Sequence, residues 1–254
     1  MLPASTRIVA LAFGVAFSTT FSPTVVVPNF PDLTIKTRES LSNNTILMNW
    51  YFKGPRQRME HKLESVPNTS TVILTECDRG SYFILNEQKK TYLVRPVDEM
   101  VAGDPHKTPD RPGDTVDVTV TTDSVDTGER RHVGSYEARR VKTTVTVDPN
   151  DAAGVQGSKM ETDGWYIDLP GRNCRSDSAQ GQTMLMSGTG HHVPHLVFRQ
   201  LGSARQGFAI EETVVSTQAG VTNVNRTELV EMSERPLAAS LFEVPADYTR
   251  VTAP

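Results

Sequence analysis

Apolar residues recur at every second position through most of this chain, and this pattern limits its fold more than any other feature. The clearest case lies between residues 46 and 52, where one side of an extended segment would carry Ile46, Met48, Trp50 and Phe52. Successive side chains of a β-strand point to opposite faces, so the pattern predicts strands with one apolar face. The 254 residues include 28 Val and 29 Thr, which favour strands because they are β-branched. This bias argues against a helical bundle, a coiled coil and a polytopic membrane protein.

Turn signals divide the alternating segments into a meander. Turns are predicted at residues 53–55, 78–80 and 86–90, and the last of these would close a hairpin. The alternation resumes after the Pro-rich stretch 103–114, which we therefore interpret as a surface loop, and a second long loop is predicted at 171–190. Helix signals are confined to residues 236–242.

These segments predict ten to twelve antiparallel strands in one β-rich domain over residues 30–254. A sheet of that width cannot stay flat, so we expect a single curved sheet that forms an incomplete β-barrel with little helix. Its concave side would be either a hydrophobic cavity or a packed core. The candidate residues for lining it are Met48, Trp50, Phe52, Trp165 and Phe208.

The N-terminus has the features of an export signal. Arg7 precedes an apolar run over residues 8–17, and Ala16 and Ser18 supply the small side chains of a cleavage site after residue 18. Ten apolar residues are too few to cross a bilayer as a helix. The prediction is a signal peptide over residues 1–18 and a bacterial periplasmic or secreted protein that does not span the membrane after processing. The alternative is a buried N-terminal strand or helix.

The chain has two cysteines, Cys77 and Cys174. An oxidising compartment would permit a disulfide between them, and two unpaired thiols are the alternative. Two isolated cysteines do not have the spacing of a zinc site.

Several short segments resemble a known group of proteins. These segments are 51–60, the Glu76-Cys77-Asp78 tripeptide, the hairpin 85–94, and the stretches 127–130, 161–168 and 241–248. They are similar to uncharacterised extracytoplasmic bacterial proteins of the LolA-like, lipoprotein-carrier-like superfamily. The resemblance implies a curved, incomplete β-barrel whose inner face can hold acyl chains. It assigns no functional residue.

Three histidines, His191, His192 and His195, form the densest group of candidate metal ligands. Imidazole nitrogens suit zinc or copper, but an extended chain would point His192 away from the other two. Solvated loop histidines are the alternative, and we predict no cofactor. The sequence contains no hydrolase, phosphate-binding or dinucleotide-binding motif, so we expect no enzyme activity, with a metal-assisted hydrolase as the alternative.

The charged residues give no catalytic or nucleic-acid signature. The net charge is −4 and basic pairs lie among acidic neighbours, so we predict no nucleic-acid partner. Glu211 and Glu212 are interpreted as part of a solvated face. Asp163 and Asp168 flank Trp165 and Tyr166 in a pattern that occurs at carbohydrate-binding surfaces, although an ordinary strand is the better interpretation.

One strand carries alternating basic side chains, Arg56, Arg58 and Lys62. They could surround a cavity mouth and contact a lipid phosphate, or they could protect an exposed edge strand.

Two function classes follow from these predictions. The first is an exported binding protein that holds an apolar or acylated ligand, such as a lipid or a lipoprotein acyl chain, on the concave face. The second is a non-catalytic envelope protein with a packed interior that binds a protein partner.

Overall fold

The computed structural model describes residues 31–41, 44–66, 70–97, 116–150, 155–170 and 194–252. The predicted signal peptide, the predicted loops at 103–114 and 171–190, Cys174, His191 and His192 lie outside these ranges. The strands in chain order are β1 (Leu33–Leu41), β2 (Asn44–Lys53), β3 (Arg56–Leu63), β4 (Ser70–Glu76), β5 (Ser81–Asn86), β6 (Thr91–Pro96), β7 (Val116–Val133), β8 (Tyr136–Val147), β9 (Ser158–Ile167), β10 (Pro194–Leu201), β11 (Phe208–Gln218), β12 (Val221–Ser233) and β13 (Thr249–Arg250).

Within the described ranges, these thirteen strands form one open sheet, in the order β10-β7-β8-β9-β11-β12-β1-β2-β3-β4-β5-β6-β13. The prediction of a mainly β fold with a single sheet and little helix is confirmed. Neighbouring strands are antiparallel except at the two edges, where β10 is parallel to β7 and β13 is parallel to β6. The expectation of a wholly antiparallel sheet is therefore wrong at both edges. Each edge strand follows a long connection, which allows a parallel arrangement that a tight hairpin cannot give.

Tight turns lie where the sequence predicts them. Gly54, between β2 and β3, and Gly80, between β4 and β5, have φ angles of +52° and +60°. Glycine adopts this left-handed conformation without a steric penalty, so it supports these hairpins.

Cross-strand partners share a face, so the register assigns the side chains of β1 to β6 to one side or the other. On one side, Ile35 lies between Met232 and Trp50, and the same row continues through Met59, Ile73, Ile84 and Leu93. We call the side that carries this row the interior face, and the other side the outer face.

Aromatic contacts show that the sheet bends toward the interior face. The ring of Phe208 on β11 lies 5.3 Å from that of Trp50 and 5.8 Å from that of Phe52, both on β2. Three strand spacings separate β11 from β2, or about 14 Å in a flat sheet. The rings meet because the sheet curves and brings the two strands toward each other.

A packed core lies at this bend. Leu33, Ile35 and Ile210 are fully buried there with Ile167 and Ala138, and Phe52 is 2 % exposed. A second cluster consists of Val118 and Val120 on β7 with Val145 and Val147 on β8. This cluster confirms the predicted alternation on both strands.

The C-terminal segment crosses the outer face of β3 to β6. Its side chains Val244 and Tyr248 pack against the buried residues Val72, Leu74 and Leu85, which point outward. The helix predicted over residues 236–242 is only a short 3-10 helix, Ala239–Phe242. Pro245 restricts Val244 to extended backbone, so a helix cannot continue past residue 243.

No helix in the described part of the chain has the length and apolarity that a membrane-spanning segment needs.

Candidate functional site

The structure brings together four of the five residues predicted to line the concave side. Trp50, Phe52 and Phe208 are in ring contact, and Trp165 packs against the same core cluster. Met48 lies two residues before Trp50 on β2 and shares its interior face. Phe52 is buried in the core, whereas Met48 and Trp50 are half-buried.

The interior face of β2 to β5 carries half-buried apolar side chains. We call this set the apolar strip, and its members are Ile46, Met48, Trp50, Met59, Leu63, Ile73 and Ile84. On β4 and β5 the C-terminal segment covers the outward residues Val72, Leu74 and Leu85. On the interior side of the same strands Thr75 and Tyr82 are buried, whereas Ile73 and Ile84 stay half-buried. The interior side therefore keeps part of its apolar surface accessible.

A polar cluster lies on the same face, on the other side of the bend, and it is built around Gly164. The ring of Tyr166 lies directly over this glycine, because a Cβ atom at position 164 would lie 2.8 Å from the tyrosine oxygen. Glu212 on β11 is the cross-strand partner of Gly164. The missing side chain at Gly164 thus allows Tyr166 to extend toward Glu212.

Hydrogen bonds connect this cluster across several strands. The Tyr166 hydroxyl donates to Oε1 of Glu212 at 2.5 Å and accepts from Nε2 of Gln206 at 3.2 Å. Nε2 of Gln206 also donates to Oγ1 of Thr143 at 3.1 Å, and Thr143 is hydrogen-bonded to Ser124 at 3.2 Å. Tyr166, Thr143 and Ser124 are buried, so these bonds satisfy groups that would otherwise lose their contact with water.

Gln206 belongs to a strap, residues 202–207, that connects β10 to β11. Because β10 adjoins β7 and β11 adjoins β9, the strap must pass β7, β8 and β9. Its contacts follow that path: Gly202 touches the Ser124 carbonyl on β7, and the Arg205 carbonyl accepts from Nε of Arg139 on β8. The strap therefore covers the polar cluster at one end of the interior face.

Burial controls the charge of the cluster. Loss of hydration raises the pKa of Glu212, the negative charge of Glu39 raises it further, and the Tyr166 hydrogen bond opposes both effects. Burial also raises the pKa of Glu39 and that of Tyr166. Neither Glu39 nor Glu212 forms an ion pair with the described basic residues.

The interpretation of Glu212 as part of a solvated face is wrong. Glu211 and Glu212 are adjacent, and they point to opposite sides of β11: Glu211 forms an ion pair with Arg131 at 2.8 Å, whereas Glu212 meets the buried Tyr166. The sequence carries a signal for this position, because Glu212 has the same alternating phase as the apolar residues Ile210 and Val214.

The basic side chains of β3 do not lie at an edge. β3 is paired with β2 on one side and β4 on the other, so the edge-strand interpretation of Arg56, Arg58 and Lys62 is wrong. All three lie on the outer face. Arg56 forms ion pairs with Glu76 and Asp78. Arg58 forms an ion pair with Glu60 at 2.6 Å and donates to the Leu241 carbonyl at 3.2 Å, so it also contacts the C-terminal segment.

Asp163 and Asp168 are ion-paired rather than arranged beside free aromatic faces. Asp163 accepts from Arg140 at 2.7 Å and Asp168 accepts from Arg139 at 2.8 Å, and these arginines lower the pKa of both carboxyls. Arg131 lies over the Trp165 ring at 4.4 Å.

Two predicted groups fall partly outside the described ranges. Nδ1 of His195 lies 2.8 Å from Asp117 at an exposed position, and no group of three candidate metal ligands occurs among the described residues. His191 and His192 are outside them, so the metal site stays a prediction. Cys77 is disulfide-bonded, and the amide of Gln57 lies 3.3 Å from its sulfur. The pairing with Cys174 stays a prediction because that residue is also outside.

Comparison with known proteins gives little further guidance. No protein-family model matches the chain, and no curated protein matches it. The chain is similar to a solved structure described as a "putative outer membrane lipoprotein-sorting protein domain" from Vibrio parahaemolyticus, with 8 % sequence identity and a TM-score of 0.30. The similarity covers 84 % of this chain and 89 % of the other. A likeness at this level establishes neither a shared family nor a shared function.

Proposed function

We propose that this chain is an exported, non-catalytic binding protein that holds an apolar or acylated ligand, such as a lipid or a lipoprotein acyl chain, on the interior face of its sheet. The observation that carries the proposal is the apolar strip, whose side chains stay half-buried while the outward side of β4 and β5 is packed.

The chemistry of this face supports an apolar ligand. The strands under the strip are paired on both sides, so their backbone N–H and C=O groups are already hydrogen-bonded. A ligand would therefore meet side chains only, and in the strip these are aliphatic, Met and Trp. Each methylene group removed from water on such a surface contributes about 0.8 kcal/mol.

The test is binding of a fluorescent acyl probe to the purified protein, combined with native mass spectrometry for lipid that copurifies. We expect Met48→Gln to weaken probe binding about tenfold, because it places a polar amide in the strip. Leu47→Gln is the matched control. Leu47 adjoins Met48, is also half-buried and points to the outer face, so this variant should bind the probe as the native chain does.

The proposal fails if the native protein neither carries lipid nor binds the probe. It also fails if the substitutions at positions 47 and 48 weaken binding equally, because binding would then not depend on the interior face.

A non-catalytic envelope protein that binds a protein partner is the second candidate. It is favoured by the core at the bend, where Leu33, Ile35 and Phe52 are 0 to 2 % exposed and leave no accessible apolar surface. Absence of both lipid and probe binding would favour this candidate.

A further inference from the structure

We propose that ligand binding on the interior face is coupled to protonation of Glu212, so that the protein holds its apolar ligand more tightly at acidic than at neutral pH. This inference rests on the proposed function and adds a mode of regulation to the same site.

The first step is the position of Glu212 relative to the apolar strip. In the sheet register, Glu212 on β11 faces Thr227 on β12, which faces Glu39 on β1. Glu39 faces Ile46 on β2, and Ile46 faces Leu63 on β3. One row of the interior face thus runs from Glu212 through Glu39 into the strip, with Glu39 beside Ile46 and Glu212 two strands further on. An apolar ligand that extends from the strip along this row covers both carboxyls.

The second step is the missing counter-charge. Among the described residues, no Lys, Arg or His forms an ion pair with Glu212 or Glu39, although the neighbouring Glu211 is paired with Arg131 at 2.8 Å. The ionised Glu212 therefore depends on water and on the Tyr166 hydroxyl. An apolar ligand that covers this row removes the water, and loss of hydration disfavours the ionised form.

The other groups that face Glu212 determine whether a pH effect can be assigned to it. Tyr166 on β9 has a pKa raised by burial and stays protonated. Thr227 on β12 and Gln206 in the strap are neutral, and the neighbours of Glu212 on this side of β11 are Ile210 and Val214. Glu39 on β1 is the second acid, and its pKa is also raised by burial.

His61 on β3 also points to the interior face, and burial lowers its pKa. It loses a positive charge as the pH rises, so its titration would strengthen apolar binding. Its effect has the opposite sign to that of Glu212 and can be distinguished from it.

The direction of the coupling follows from linkage. The pKa of Glu212 in the free protein lies above the ordinary glutamate value of 4.5, and a bound apolar ligand raises it further. Affinity is then highest below the free-protein pKa, falls as the pH rises between the two pKa values, and becomes constant above the higher one. Each unit by which the ligand raises the pKa of Glu212 weakens binding about tenfold across that window.

The experiment measures the Kd of a neutral acyl probe, a fluorescent fatty-acid methyl ester, between about pH 5 and pH 8. A neutral probe is required because it does not titrate. We expect the native protein to bind about tenfold more weakly at the upper pH, and Glu212→Gln to lose most of this pH dependence because glutamine mimics the protonated acid. The dependence that remains in this variant is assigned to Glu39. Glu211→Gln is the matched control and should keep the native pH profile.

A second measurement needs no variant. Carbon-13 NMR titration of the Glu212 carboxyl in the native protein should show a higher pKa with the probe than without it. The inference is overturned if the probe binds but Glu212→Gln keeps the native pH dependence, or if the probe leaves the pKa of Glu212 unchanged. Absence of probe binding at every pH would instead overturn the proposed function.

Discussion

At the scale of single residues, a glycine determines the geometry of the polar cluster. Gly164 leaves the space that the Tyr166 ring occupies, and the ring places its hydroxyl beside Glu212. A fully buried tyrosine thereby becomes the hydrogen-bond donor to Glu212.

Gly164→Ala tests this geometry. A methyl group at this position would lie 2.8 to 2.9 Å from Tyr166 atoms, so the ring must move and its hydrogen bond to Glu212 must lengthen or break. We expect the free energy of unfolding to fall by about 1–3 kcal/mol, as measured by urea denaturation.

The comparison variant is Gly157→Ala, where the three atoms nearest to the added methyl group belong to the Pro149 side chain and lie at 3.1 Å or more. It should cost less than Gly164→Ala. Equal costs would contradict the specific role of the space at Gly164.

At the scale of elements, the C-terminal segment completes the outer face. The hydroxyphenyl ring of Tyr248 packs on the cluster of Val72, Leu74 and Leu85, and the Lys90 ammonium lies 5.0 Å from its centroid. Backbone hydrogen bonds from Thr249 to the Lys90 carbonyl and from Val251 to the Tyr92 carbonyl fix the segment beside β6 as an added edge strand. Both faces of β4 and β5 thus carry apolar side chains. Among the described residues, the C-terminal segment packs on the outer face.

Tyr248→Ala should therefore destabilise the fold, because it removes the aromatic part of that cover. Truncation of a fully buried aromatic residue costs about 3–5 kcal/mol, and for the half-buried Tyr248 we expect about 1–3 kcal/mol in urea denaturation. Asp247→Ala is the control: its carboxylate lies 3.5 Å from Lys90 at an exposed position, so the change should be below about 1 kcal/mol. A loss at Asp247 as large as that at Tyr248 would show that charge, not apolar packing, holds the segment.

At the scale of the whole molecule, curvature determines what the sheet encloses. Phe208 on β11 contacts two rings on β2, although β12 and β1 lie between these strands in the sheet. The backbone pairing of β11 with β12 covers only residues 212–218. The first residues of β11, from Phe208 to Glu211, pair with β9 but not with β12. The core lies between the part of the sheet that contains β8, β9 and the start of β11 and the part that contains β1 and β2.

Phe208→Ala should consequently affect the molecule as a whole. We expect a loss of about 2–4 kcal/mol of unfolding free energy, with far-UV circular dichroism and tryptophan fluorescence shifting to the same new midpoint. Phe198→Ala on β10 removes the same side chain from a position that is 41 % exposed, and should change stability by less than about 0.5 kcal/mol. Separate midpoints for the two probes would mean that the two parts of the sheet unfold independently.

Much of the fold is predictable from the sequence, and less of the site. The two-residue alternation predicts β2, β7 and β8 and the faces of their side chains, because strand periodicity depends only on local geometry. The turns at Gly54 and Gly80 follow from local turn chemistry. The apolar phase of Glu212 indicates that its side chain points inward, but it does not identify Tyr166 as the partner that donates to it.

The sequence by itself determined the turns, the pairing of neighbours in the meander and most of the strands, because each depends on residues close together in the chain. It predicts ten to twelve strands, whereas the described residues form thirteen. Only the tertiary structure decided that β10 and β13 join the edges in parallel, that Phe208 meets Trp50, and that Tyr166 reaches Glu212 over Gly164. These contacts join residues far apart in the chain, and they exist because the sheet bends and the strap and C-terminal segment cross it.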